Sequence, residues 1–397
     1  MLIGLKNCKL IKELVEGFDD EKADILIEDN KIKKIYPVNH DFKDIKVIDL
    51  KNNTLLPGLI DLHMHLMFKH DDYPALVSRN QNQYLLDSID YANKYLKQGY
   101  TTIRDCGNDF YVGVALRDAI EEGIIVGPRV ITSGKCISPF AKGNSTFGSL
   151  YYEVNSPEEI TAAVRDEVAK GVDFIKYMVT GSVANLKGKP GQLITSREEI
   201  RALCKAAQTL EVDTAAHCHG EEGIKICAEE GITTIEHASF ITEESIGIIL
   251  DKGCKTSIVP TLTPVVSIHT ALQKSTRSDI AIKIEEVYNA TSRLVKATRA
   301  GVLTGWGTDM ELKFLMENPG YEFLARKEVG YSNIEILEQA TINSAKIIHL
   351  EDKIGTIKEG KLADLIVVNG DPKEDIKVMA NNPLCVIKNG DIITCNI

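Results

Sequence analysis

The chain has 397 residues, 44% apolar and 26% charged, enough to bury a sizeable core beneath a hydrated surface. Its 46 basic residues face 57 acidic ones, and no block of lysine or arginine interrupts the net charge of −11, which argues against nucleic acid and anionic membranes as partners. The length admits two or three domains, or one large α/β barrel with an appendage. Leu2-Ile3-Gly4-Leu5 is too short an apolar stretch for a signal peptide, and Lys6 interrupts it. No apolar run is long enough to span a bilayer. Nine cysteines, an odd number with no Cys-x-x-Cys pair, suit a reducing cytoplasm better than a disulfide framework.

The first fifty or so residues read as short strands. Ala23 to Ile27, a turn at Glu28-Asp29-Asn30, and Lys31 to Tyr36 form a hairpin pattern. Val47 to Leu50 and Thr54 to Leu56 predict further strands. The tail has the same style, with Ala363 to Val368, a turn at Asn369-Gly370, and a hairpin across Asn389-Gly390. Neither end is long enough to fold alone. They are expected to pair as one small β-sandwich domain, residues 1–56 with 351–397, around an inserted domain of residues 57–350.

The inserted part alternates strand and helix. Strands are predicted to begin near Leu59, Thr101, Arg129, Phe174, Val212, Thr233, Thr256 and Val302. Helices are predicted over Pro157 to Lys170, Ser196 to Leu210 and Ile280 to Ala300. Ser156 and Ser196 supply capping hydroxyls ahead of acidic first turns. Gly99, Gly123, Gly171, Gly231, Gly253 and Gly301 sit where helices should end in a left-handed residue. Eight strands alternating with helices fit a (β/α)8 TIM barrel better than an open sheet, and barrels of this kind carry chemistry at the C-terminal strand ends.

Candidate chemistry collects at those ends. Pro57-Gly58-Leu59-Ile60-Asp61-Leu62-His63-Met64-His65 closes the first strand with two histidines on one face. Two such imidazoles make half of a first-row metal site, or else one pairs with a buried acid and the other faces solvent. Lys176 closes the fourth strand, sharing a face with Phe174 and Met178 while Tyr177 turns away. A bare ammonium there would be costly unless it snorkelled to solvent. His217 and His219 share a face at the fifth strand, and alternation turns Cys218 from them. His237 closes the sixth, and Asp309 closes the eighth as a ligand or a helix cap.

The chain resembles the amidohydrolase superfamily, in the imidazolonepropionase-like branch that includes metal-dependent Xaa-Pro dipeptidases and arginine carboxypeptidases. The resemblance rests on the His63-to-His65 stretch, Gly99-Tyr100-Thr101-Thr102-Ile103-Arg104-Asp105, Phe174-Ile175-Lys176, Ala216-His217-Cys218-His219-Gly220, Ile235-Glu236-His237-Ala238 and Gly307-Thr308-Asp309. Ile354-Gly355 through Gly360 to Val368 extends it along the tail, so it covers nearly the whole chain.

The resemblance implies two zinc ions per chain. His63, His65 and Asp309 would hold one, His217 and His237 the other, and a CO2-derived carbamate on Lys176 would bridge them. A hydroxide shared by the metals would attack an amide carbonyl, with Asp309 moving the proton to the leaving amine. His219 would reach the substrate, and Lys142, with Lys135 in the same loop and Lys187 and Lys189 after strand four, is a candidate cation for a substrate carboxylate. The implied reaction is hydrolysis of an amide or peptide C–N bond in a small, dipeptide-like, carboxylate-bearing molecule, by a cytoplasmic enzyme compatible with a homo-oligomer.

Two loops depart from the related dipeptidases. Their Gly-Gly-His-Gly-like loop after strand three is here Ile137-Ser138-Pro139-Phe140-Ala141-Lys142-Gly143-Asn144, without histidine, and their Gly-Gly after strand four is Gly181-Ser182. Cyclic amide hydrolysis uses the same ligands and stays open. Heterocycle deamination leans on a glutamate where this chain has Gly220 and gives Lys176 no role. A non-catalytic scaffold would have no need of Asp309 or the second ligand pair.

Overall fold

The computed structural model describes residues 2–69, 78–141, 144–147, 149–181, 189–251, 253–272 and 279–397. Strands from both chain ends share one hydrogen-bonded sheet of eight. Thr54–Pro57 pairs antiparallel with Leu365–Val368, which joins the first part of the chain to the last, with Leu55 opposite Val367. The sheet divides at Leu2–Lys9. Lys46–Asp49 runs parallel to that strand's first half, and Thr54 pairs at its end.

Alternation along these strands buries one shared apolar cluster, in which Ile3, Leu5, Ile25 and Ile27 meet Leu365, Val367 and Ile387. The two predicted hairpin turns also meet. Asn389 and Gly390 both adopt positive φ, as a two-residue hairpin turn requires. A Cβ on Gly390 would run into the carbonyl of Asp29 in the other turn.

The inserted part forms two parallel sheets. One contains Leu59–Met64, Tyr100–Asp105 and Arg129–Thr132; the other contains Phe174–Met178, Asp213–Cys218, Thr234–His237 and Ser257–Val259, edged by Cys136–Pro139 and Tyr151–Val154. Hydrogen bonds join the sheets at both margins. The Asp173 N–H donates to Thr132 O at 2.8 Å. On the other side Ile258 and Thr261 bridge in parallel to Thr304 and Gly307, and the Leu62 N–H donates to Trp306 O at 2.8 Å. The predicted eighth strand is thus present as these isolated bridges rather than as a regular ladder.

Helices fill the connections. Pro157–Ala169 and Arg197–Thr209 start at the predicted caps, where Ser156 and Ser196 hydroxyls accept from Glu159 and Glu199 N–H groups. All six glycines expected past helix ends have positive φ, between 73° and 110°. The helix predicted over Ile280 to Ala300 is two, Asp279–Ala290 and Ser292–Ala300. Thr291 separates them; both its N–H and its hydroxyl donate to Tyr288 O, tightening the chain out of α-helical register. Among the described residues no helix is long and apolar enough to cross a membrane.

Candidate metal centre

Leu59–Met64 delivers His63 and His65 toward Asp309. Each ring's Nε2 lies 3.6 Å from Asp309 Oδ1. His63 donates from Nδ1 to Glu236 Oε2 at 2.7 Å, and His65 donates from Nδ1 to Gly107 O at 2.9 Å. Both Nε2 lone pairs therefore face the Asp309 carboxyl, three metal-type ligand atoms within 4.8 Å of one another. A cation resolves that arrangement, and ligand atoms this far apart can each lie about 2.1 Å from one ion. Asp309 turns in through a left-handed backbone, φ 48°, and its N–H donates to His63 O at 2.9 Å. Asp61 fastens the same strand ends by accepting from the Thr308 hydroxyl at 2.6 Å and the Tyr95 hydroxyl at 2.5 Å.

A second cluster forms from His217, His219 and His237, each offering a nitrogen within 4.8 Å of the others. His237 Nε2 lies 2.9 Å from His217 Nδ1, while His237 Nδ1 pairs with the Thr261 hydroxyl at 2.7 Å. His219 stacks on His237 and pairs through Nδ1 with the Ser239 hydroxyl at 2.8 Å. Its position makes it a third nitrogen for this cluster as well as a group able to face a substrate. His237 has φ 69° and Ala238 φ 49°. That left-handed turn breaks strand alternation, so the adjacent Glu236 and His237 both reach inward, one to His63 and the other to His217.

The Lys176 charge acts on residues of both groups, His63, His65 and Asp309 in one and His217, His219 and His237 in the other. Its strand pairs it with Ala215, while Phe174 packs on Ala215 and Cys106. Tyr177 turns outward and its hydroxyl pairs with that of Thr195 at 2.6 Å, as alternation predicts. Lys176 is 2% exposed, and among the described residues its buried Nζ has no hydrogen-bond partner.

Burial, reinforced by the Lys176 charge and neighbouring imidazoles, holds His63, His217 and His237 well below the ordinary histidine range. Burial carries His65 down to about 4 and His219 to about 3. Neutral imidazole is the metal-binding form. Burial raises Asp309 to about 8, with Lys176 opposing the shift and Glu311 and Asp61 adding to it.

Two further groups support the centre. Arg104, 4% exposed, donates to Glu236 Oε1 at 2.7 Å and to Leu62 O at 2.6 Å. Asp105 accepts from Asn108 and Thr132 and so secures the turn that presents Gly107 O to His65. The sequence carried a signal for each, since charged residues stood inside otherwise apolar strands at Asp61, Arg104, Asp105 and Glu236, but it named no partners. Cys218 points away from the histidines, its thiol toward Gly220 O at 3.6 Å, as expected.

The substrate-side candidates are less assembled. Asn144 closes its loop by donating to Pro139 O at 3.2 Å and Glu153 Oε1 at 2.9 Å. Lys189 is exposed. Lys142, Gly143, Ser182 and Lys187 lie outside the described residues.

The amidohydrolase family model matches residues 54–393. Ochratoxinase from Aspergillus niger is 27% identical over 361 residues, covering 82% of this chain and 72% of that protein. A crystal structure of a prolidase complexed with N-methylphosphonate-L-proline is similar at TM-score 0.87 and 26% identity, covering all of both chains. A Xaa-Pro dipeptidase crystallised with methionine in its active site matches at TM-score 0.84 and 29% identity, over 99% of each chain.

Proposed function

Because this chain belongs to the amidohydrolase family, we propose that it is a binuclear metal hydrolase cleaving the amide or peptide C–N bond of a small carboxylate-bearing substrate, in the manner of a dipeptidase or carboxypeptidase. One observation carries the reading: the Nζ of Lys176, buried with no hydrogen-bond partner among the described residues, in company with five neutral imidazoles and Asp309. Loss of one proton from the ammonium, then addition of the neutral amine to CO2 with loss of a second, would turn that group from cation to anion and give it two oxygens. His63, His65 and Asp309 would then hold one divalent ion, His217 and His237 the other, with the Lys176 carbamate as an anionic ligand available to both. When bound, the two ions supply an activated water and polarise the scissile carbonyl.

The remaining steps belong to side chains. Asp309 accepts the water's proton and returns it to the departing amine nitrogen. His219, anchored through Nδ1 on Ser239, presents its other nitrogen to the substrate. Lys142 remains a candidate partner for the substrate carboxylate. The prolidase bound to a proline derivative and the dipeptidase bound to methionine support an amino-acid-like ligand here. On this reading the eight parallel segments complete a (β/α)8 barrel over 57–350, and 1–56 with 351–397 form the β domain. The nine free cysteines suit a cytoplasmic protein.

The test combines metal analysis of protein produced with zinc and a panel of dipeptides, N-acyl amino acids and cyclic amides read by amine release. Two ions per chain and turnover of linear carboxylate-bearing amides are expected. A firm stoichiometry of one removes the bridging role of Lys176, and turnover of cyclic amides alone replaces the substrate class.

A further inference from the structure

Glu236 is a fully buried carboxylate with no part in the reaction as derived above. Its Oε2 accepts from His63 Nδ1 at 2.7 Å. Its Oε1 accepts from Arg104 Nη2 at 2.7 Å and from the Thr234 hydroxyl at 2.6 Å. Arg104 is fixed in turn by Leu62 O, 2.6 Å from its Nε, and by the Phe174 ring, 5.1 Å from its guanidinium carbon. The row therefore runs from the second strand through the sixth to the first, tying His63 to two other strands.

We infer that Glu236, held by Arg104 and Thr234, is a positioning residue that fixes the tautomer and ring plane of His63 and thereby sets the affinity of the ion site shared with His65 and Asp309. A carboxylate can only accept, so the proton of a neutral His63 must sit on Nδ1 and the lone pair on Nε2 must face Asp309. Charge balance points the same way. Arg104 is a permanent cation beneath a centre that would hold divalent ions, and Glu236 neutralises it at contact distance. Glu236 also precedes His237, whose left-handed backbone lets the two side chains serve different clusters from one strand end. The second cluster keeps its own supports, Thr261 for His237 and Ser239 for His219. The effect should therefore be confined to one ion.

This inference rests on the two-ion reading, and the experiment separates them. Zinc and cobalt contents of wild type and Glu236→Gln are measured by chelator competition, with the visible cobalt spectrum as a second readout. Both are repeated in a His217→Asn background, which reports the first site alone. A glutamine can accept from His63 only by turning its amide N–H groups toward Arg104. Expected is a roughly 10- to 100-fold weaker first site and an altered cobalt band, with the second ion retained. Wild-type affinity at both sites, or loss of both ions from a protein that melts normally, overturns the inference.

If Glu236→Gln does not fold, Thr234→Val removes a single bond to Oε1. It should weaken the same ion several-fold, and unchanged affinity overturns the proposal. A wild-type protein holding one ion overturns the two-ion reading, while the effect of Glu236→Gln on that ion still decides this one. A wild-type protein holding none overturns both.

Discussion

His237 Nε2 and His217 Nδ1 lie 2.9 Å apart in a buried site from which a charged imidazole is excluded. Two neutral nitrogens at that distance share one proton, or both turn their lone pairs to a common cation. His237 reaches this position only because its backbone enters the left-handed region, φ 69°, a conformation costing on the order of 1–3 kcal/mol for a residue other than glycine. Asp309 shows the same strain at φ 48°. His237 leaves a strand end where alternation alone would aim it differently, and both residues are proposed as metal ligands.

Lys176 gives the first prediction. Lys176→Ala should lose one ion and at least about 100-fold of kcat, and short carboxylic acids should restore part of both by filling the vacated bridge. Lys176→Arg should not substitute, because guanidinium stays cationic and cannot ligate. Metal analysis and single-substrate kinetics with and without propionate check this. Full activity in Lys176→Arg would refute the carbamate.

The second prediction separates the paired histidines at the end of Asp213–Cys218. His217→Asn should cost metal occupancy. His219→Asn should keep both ions while raising KM or lowering kcat by about 10-fold or more. The proximity of His219 to His237, ring centroids 4.7 Å apart, makes the comparison decisive. Loss of metal in His219→Asn with retention in His217→Asn would exchange the two roles.

A third prediction concerns the substrate carboxylate. A buried charged hydrogen bond is worth about 1.5 to 3 kcal/mol. Amidating the carboxylate of a cleaved dipeptide should therefore lower kcat/KM by roughly ten-fold or more. Matched acid and amide assayed side by side give the answer. Equal rates would discard the carboxypeptidase-like reading.

The fourth prediction uses pH far from the metal centre. Hydrogen bonds from Lys358, Thr356 and Lys361 hold the Glu16 carboxyl down at about 2. A carboxyl whose pKa falls on folding contributes stability above its unfolded pKa of about 4.3, lost as pH drops toward 2. Glu16 is 43% accessible, so the contribution is at most about 1 kcal/mol after screening by water. Glu16→Gln should lower Tm by about one degree at pH 7, and the difference from wild type should vanish between pH 4.5 and 2. Melting curves across that range check it, and a difference independent of pH would remove the ion pairs as the cause.

Alternation and helix punctuation are local properties, and they were sufficient to place most strands (though not Leu2–Lys9, Cys136–Pro139 or Tyr151–Val154), the caps at Ser156 and Ser196, and the inward face carrying Lys176, His217 and His219. They also marked the family-bearing stretches, because a ligand histidine at a strand end is visible within a few residues. What they could not supply was pairing across distance. His63 meets Glu236 across 173 positions, Arg104 meets Glu236 across 132, and Thr308 meets Asp61 across 247.

Nothing local distinguishes a buried, paired Glu236 from a solvated one. Nor does periodicity reveal that His237 and Asp309 adopt left-handed backbones, since that strain is tolerated only when the surrounding strands over-determine it. The sequence by itself thus determined which side chains gather at the strand ends. Tertiary structure alone decided which nitrogen of each imidazole faces inward, because that choice belongs to the partner holding the other nitrogen.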